Sequence, residues 1–270
     1  MKGSIVMSIL EAIILGIVQG FTEFLPVSSS GHLVLLQKIF KIEEGALSFD
    51  IALHLATLVA VLVVYRKKIF EIIKNPFSKL PVYIVIGTIP IAVFGILFDD
   101  FIESFFESGA TLGTGFIFTG LVLMYADSVG EKKRTIEQMN IKDPLLIGTS
   151  QAVAMIPAVS RSGMTISAAL ALGIERKTAA DFSFLLSIPA ILGAVVVDIY
   201  KMLKTGGSEF AAIGTAPLAV GMLFAAIAGF IAVKSMINLI QKQGLKYFSY
   251  YLWVIGALVL LDQLVLHVFF

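Results

Sequence analysis

QGFTEFLPVSSSGHL, residues 19–33, places a glutamine, a threonine, a glutamate, three consecutive serines and a histidine inside otherwise apolar sequence. Its flanks, MSILEAIILGIV at 7–18 and LVLLQKIF at 33–40, read as membrane-embedded helix. Such flanks cannot solvate a polar cluster, so the cluster must face a protein interior or a water-filled cavity. An ionisable residue at that depth marks a functional site. The leading apolar run passes straight into the cluster without a small-residue cleavage site, so it is expected to be retained rather than removed as a signal peptide.

The rest of the chain has the same character. It is 58% hydrophobic and only 14% charged, with a mean hydropathy of +0.95, whereas soluble domains carry about 25% charged residues. This predicts an all-α, polytopic membrane protein. A net charge of +1 gives no sign of nucleic-acid binding, and the absence of cysteine excludes disulfides, thiolate metal sites and a cysteine nucleophile.

A spanning helix needs about 20 mostly apolar residues, which sorts the segments into two kinds. Six are long enough, at roughly 46–65, 81–98, 111–127, 178–200, 216–238 and 247–269. Two regions are shorter: 5–18 and 33–40 joined by LPVSSSGH, and 145–156 and 164–174 joined by PAVSRSG. Short apolar runs broken by Pro, Gly and Ser predict re-entrant hairpins that enter and leave on one side.

The two hairpins match each other. A shift of 132 positions carries Gln19 to Gln151, Ser28 to Ser160, Ser30 to Ser162 and Gly31 to Gly163. Further on, VVY at 63–65 lies over VVV at 195–197, and TGLVLMYAD at 119–127 resembles IGALVLLDQ at 255–263. A series in order indicates duplication: a first repeat over 1–127, a linker at 128–143 expected on the cytoplasmic side, and a second repeat over 144–270. Each repeat has three spans, an odd number, so the second must be inverted. The loop charges agree with the positive-inside rule. Arg66, Lys67, Lys68, Lys74 and Lys79 follow the first span, the 99–110 loop carries four acids and no base, and Lys132, Lys133, Arg134, Lys142, Arg176, Lys177, Lys242 and Lys246 all count as inside. Lys201 and Lys204 are mild exceptions. Both termini are therefore expected outside, with the hairpin loops meeting near the midplane where inverted-repeat proteins place their site.

Gln19 and Glu23 are four apart and share a helix face. They can offer a carboxamide and a carboxylate to a divalent cation or a polarised water, although glutamine also serves as interhelical glue. Ser28, Ser29 and Ser30 supply hydroxyls beyond Pro26, and His32 follows. A serine near a histidine suits a nucleophile with its base, and a histidine can also attack phosphorus or protonate a leaving oxygen. The plainer reading is a serine helix cap with a satisfied histidine. In PAVSRSGMT, Arg161 has the planar donor fork suited to phosphate, and Ser160, Ser162 and Thr165 add hydroxyls. One acid, one histidine, one arginine and a ring of hydroxyls predict an anionic, phosphate-like ligand. Asp50 and His54 can line the same cavity or make structural hydrogen bonds. Asp127, Asp198 and Asp262 fall near span ends, where interfacial solvation is a sufficient role.

At these residues the chain closely resembles the undecaprenyl-pyrophosphate phosphatase family, integral-membrane enzymes associated with bacitracin resistance. QGFTEFLPVSSSGH resembles the family's (E/Q)xxxE motif with its following Ser and His, and PAVSRSGMT resembles its PGxSRSxxT motif. The resemblance implies removal of the terminal phosphate from a polyprenyl pyrophosphate at the outer membrane face, with a magnesium or calcium requirement. It implies catalytic roles for Glu23, Ser29, His32 and Arg161, and substrate-binding roles for Gln19, Ser28, Ser160, Ser162 and Thr165, with Glu23 also the metal ligand. The nucleophile is left open among Ser29, His32 and water, and the chain length of the lipid and any homo-oligomer are open too. Two departures stand out: Gln19 where many members have Glu, and Ala158 where Gly is usual, which predicts a locally tighter second hairpin. A lipid-phosphate or anion carrier of the same inverted architecture is the competing class.

Overall fold

A computed structural model describes residues 7–42, 45–129, 133–204 and 213–270, without the side chains of 99, 100, 103 and 106–108. Residues 5 and 6 of the expected first hairpin, Lys132 of the linker and the four acidic side chains of 99–110 lie outside the described residues. Among the described residues there is no strand, only an isolated bridge between Arg134 and Ile174.

The first hairpin is α1 (Ile9–Phe24) and α2 (Ser29–Phe40). Ser8 starts α1 with a capping box to Glu11, and the helix stops because Pro26 forces Leu25 into an extended conformation (φ −69°, ψ 144°). Next come α3 (Ala46–Val64), the short surface helix α4 (Arg66–Lys74), α5 (Lys79–Ser108) and α6 (Leu112–Ser128). The second hairpin is α7 (Lys142–Val153) and α8 (Arg161–Ala171). Then α9 (Arg176–Lys204), α10 (Thr215–Gln243) and α11 (Lys246–Leu261) complete the bundle, α11 continuing into one π turn at Asp262–Leu266.

Among the described residues, five helical stretches are long and apolar enough to cross a membrane: α3, Lys79–Phe98 of α5, α9, α10 and Lys246–Leu266. This is a multi-pass membrane protein. The sixth expected span is α6, which has 17 residues; at 1.5 Å per residue it covers about 25 Å, slightly less than a typical hydrocarbon core. Residues 99–108, expected as loop, instead prolong α5 beyond a kink at Phe98 (φ −125°, ψ 20°). Aromatic pairs four residues apart hold that extension, Phe94 on Phe98 at 4.5 Å and Phe101 on Phe105 at 4.8 Å. Part of the expected 66–80 loop is likewise helical, as α4.

Small residues set the closest packing. Gly16 and Gly20 bring α1 against α10, where a methyl on Gly20 would stand 2.5 Å from the Ala225 carbonyl and from Ala228 Cβ. Gly148 of α7 meets Gly87 of α5 in the same backbone-to-backbone manner. Without a hydrophobic drive between helices in lipid, such close approach is what lets them associate. The first arm of each hairpin thus packs on a span from the other half of the chain, and the two halves interdigitate. Asp127 and Asp262, expected near span ends to be merely solvated, are tied into the protein. Asp127 pairs with Arg176 (3.1 Å) and accepts the Leu245 amide (2.9 Å), and Asp262 accepts the amides of Val268, Phe269 and Phe270.

Candidate active site

The polar loops of the two hairpins meet inside the bundle. Each turns into its second helix through the same device: Ser28 Oγ accepts the Gly31 amide at 3.3 Å, and Ser160 Oγ accepts the Gly163 amide at 3.0 Å. Each capping serine also lies against the serine two residues on, Ser28 against Ser30 at 3.2 Å and Ser160 against Ser162 at 3.3 Å. The N-termini of α2 and α8 therefore start in the polar cluster, and their positive ends favour an anion there.

Glu23 is the hub. It is 7% exposed, and Arg161 Nη2 donates to its Oε1 at 2.6 Å. Ser29 Oγ donates to Oε2 at 2.6 Å and Gln19 Nε2 at 3.1 Å, while His54 Nε2 lies 3.7 Å from the same oxygen. Ser162 Oγ adds a second tie between the hairpins by donating to the Leu25 carbonyl at 3.0 Å. A buried carboxylate is tolerated only when paired and hydrogen-bonded in this way. Two buried polar atoms of the cluster have no protein partner, Arg161 Nη1 and Gln19 Oε1. One is a cationic donor suited to a phosphate oxygen, the other an acceptor.

The remaining expected residues sit differently. His32 makes no hydrogen bond to Ser29, Glu23 or Arg161. Its Nδ1 is 2.6 Å from the Ser28 carbonyl and its Nε2 2.7 Å from the Tyr251 hydroxyl. Thr165 is fully buried, its hydroxyl shared among the carbonyls of Arg161 and Ser162 and the hydroxyl of Ser183 on α9 at 2.6 Å. It ties α8 to α9. Asp50 accepts from Gln37 at 2.8 Å, and its carbonyl lies 2.7 Å from His54 Nδ1, which aims His54 Nε2 towards Glu23.

Two features escaped the sequence. Tyr251 is 219 residues from His32, and a tyrosine near a span end reads as an interfacial anchor. Thr119 of α6 accepts the Ser160 amide at 3.1 Å and donates towards the Ala158 carbonyl at 3.3 Å, bracing the second loop. Ala158 itself is fully buried with φ +65°, a left-handed conformation that glycine adopts at no steric cost. Its methyl is accommodated because Gly31 and Gly115 face it without side chains.

Fold and site together define a helical membrane protein that gathers a carboxylate, a guanidinium and hydroxyls from two helical hairpins into one anion-adapted cluster. The model of the family described as bacitracin resistance protein BacA matches residues 12–258, and the chain belongs to that family. It is 48% identical over 257 residues to an undecaprenyl-diphosphatase of Carboxydothermus hydrogenoformans, covering 95% of this chain and 98% of that one. Undecaprenyl-diphosphatase 3 of Bacillus cereus is 47% identical with the same coverage. An undecaprenyl-diphosphatase of Alkaliphilus metalliredigens is 40% identical over 277 residues, covering 96% of this chain and all of the relative.

Proposed function

We propose that this protein hydrolyses undecaprenyl pyrophosphate to undecaprenyl phosphate and inorganic phosphate. This recycles the lipid carrier for cell-wall synthesis and lends resistance to bacitracin. The observation that carries the reading is the Glu23–Arg161 pair joining the two hairpin loops, with Arg161 Nη1 buried and unmatched by any protein acceptor, in a chain whose relatives are named undecaprenyl-diphosphatase. Nothing comparable favours the carrier reading.

In this account Arg161 and the amide ends of α2 and α8 hold the terminal phosphate, supplying preorganised positive charge where negative charge develops. Ser29 Oγ already points its proton at Glu23 Oε2. Once the phosphate engages Arg161, Glu23 accepts a proton from the attacking oxygen, which is the Ser29 hydroxyl or a water in its place. The attacking oxygen bonds to the terminal phosphorus as the bond from that phosphorus to the bridging oxygen breaks, and undecaprenyl phosphate leaves with the electron pair. Attack by water gives inorganic phosphate directly; attack by Ser29 leaves a phosphoserine, which a water deprotonated by Glu23, once that carboxylate has given up its first proton, hydrolyses to inorganic phosphate and the free hydroxyl. Ser28, Ser160 and Ser162 shape the loops that line this position, and the polyprenyl tail lies in lipid along a groove between spans.

A magnesium or calcium ion fits the donor set. Glu23 and the unpartnered Gln19 Oε1 are adjacent oxygen donors, and magnesium is commonly held by one or two protein oxygens with substrate phosphates and waters completing the shell. Such an ion supplies additional charge neutralisation on the pyrophosphate. The loop charges favour both termini outside, and the family resemblance implies a site open to the outer face. The matched serine caps of the two hairpins, and the Gly16–Gly221 and Gly148–Gly87 crossings, support a duplicated, inverted chain.

The test is phosphate release from undecaprenyl pyrophosphate by purified protein in detergent, with magnesium, with calcium and with a chelator. Metal-stimulated release supports the assignment. A well-folded protein that releases no phosphate under any of these conditions refutes it.

A further inference from the structure

We propose that Tyr251 is a positioning residue that holds the His32 imidazole in one tautomer and partners it in both of its protonation states. The proposal rests on the phosphatase reading above. His32 is 6% exposed and gripped at both ring nitrogens. A carbonyl oxygen only accepts, so the 2.6 Å contact with the Ser28 carbonyl requires the proton on Nδ1. In the neutral ring Nε2 then carries the lone pair, and the Tyr251 hydroxyl at 2.7 Å must donate to it.

The surroundings favour this arrangement of the ring. The Tyr251 ring lies parallel to the imidazole, 5° between planes with centroids 5.7 Å apart, and Phe116 meets the imidazole edge-on at 5.1 Å. A flipped imidazole would set carbon atoms against the Ser28 carbonyl and the phenol, losing both hydrogen bonds. When a proton arrives at Nε2, the Nδ1 proton stays on the Ser28 carbonyl. The phenol then turns from donor to acceptor, because a hydroxyl can do either. His32 can thus take up and give back one proton at Nε2 with its ring fixed.

The position of Tyr251 in the fold gives the contact further meaning. It projects from α11, in the second half of the chain, onto His32 in the first turns of α2. Thr119 on α6, in the first half, makes the corresponding reach to the second loop. Each hairpin is therefore braced by a helix from the opposite half.

The experiment compares wild type, Tyr251→Phe, His32→Ala and the double variant in phosphate release, and follows the His32 Nε2 resonance in 15N-histidine-labelled protein, identified by its loss in His32→Ala. Removing the phenol is expected to lower kcat roughly 10-fold or more, a part of what acid–base groups contribute, while KM stays within about 3-fold, a binding change under 1 kcal/mol. In the His32→Ala background the same change should have little further effect, and in Tyr251→Phe the Nε2 resonance should move. Unchanged kcat, equal losses in both backgrounds, or an unmoved Nε2 resonance overturns the proposal. Wild type that releases no phosphate overturns the phosphatase reading itself and is told apart by that control.

Discussion

Replacing Arg161 with lysine keeps the positive charge beside Glu23 but removes the fork. In the native site Nη2 is committed to Glu23 Oε1 at 2.6 Å, and Nη1 is a buried donor without a protein acceptor, the one proposed to meet phosphate. One ammonium nitrogen cannot cover both positions. The variant should therefore lose about one charge-assisted hydrogen bond to the substrate, roughly 1.5–3 kcal/mol. At about 1.4 kcal/mol per decade, that is a fall of roughly 10- to 150-fold in kcat/KM. Alanine is a poorer probe. It strands the Glu23 carboxylate in a buried position, which costs about 3–5 kcal/mol of stability and confounds any loss of activity. The assay is initial-rate phosphate release at low substrate, with thermal unfolding in the same detergent to verify the fold. A lysine variant within about 3-fold of wild type in kcat/KM, a difference of only ~0.7 kcal/mol, would refute the assignment of Nη1 to the phosphate.

Ser29→Ala removes the hydroxyl that donates to Glu23 at 2.6 Å; it should reduce kcat by roughly 10²-fold or more, as loss of an activated group does, and single-turnover phosphate release measures it. Gly20→Ala drives a methyl into the Ala225 carbonyl and Ala228, and the α1–α10 crossing should lose about 1–3 kcal/mol through overpacking, seen as a lower unfolding midpoint. Ala158→Gly relieves a positive φ worth roughly 1–2 kcal/mol but gives up a buried methyl worth about 0.8 kcal/mol and adds chain freedom of similar size. Its stability should stay within about 1 kcal/mol of wild type, whereas Ala158→Val, β-branched at the same φ and pressed against Gly31 and Gly115, should unfold at markedly lower temperature.

The hairpins were legible because each is a short apolar run interrupted by serines and a glycine, and Glu23 and Arg161 were legible because charge at membrane depth is costly. That the two loops meet was expected from the 132-residue correspondence between them, and each loop starts its second helix with a serine cap, at Ser28 and at Ser160. The extension of α5 through 99–108 was hidden because its acids interrupt the apolar run, although Phe94, Phe98, Phe101 and Phe105 carry helical spacing. Lone side chains acting across long sequence separations left no local signal. Tyr251 sits among aromatic residues at the start of α11, and the Thr165–Ser183 hydroxyl pair joins two helices that are each apolar around it. The positive φ of Ala158 was only hinted at by the glycine usual there.

Glu23 and Arg161, delivered by different hairpins, are expected to act as one unit on the pyrophosphate. A double-mutant cycle on kcat/KM for phosphate release, using Glu23→Gln, Arg161→Lys and the pair together, tests it most directly. Groups that share a partner should be strongly non-additive, with the double variant little worse than the weaker single one and a coupling above about 1 kcal/mol. Losses that simply add, to within about 0.5 kcal/mol, would contradict a shared site.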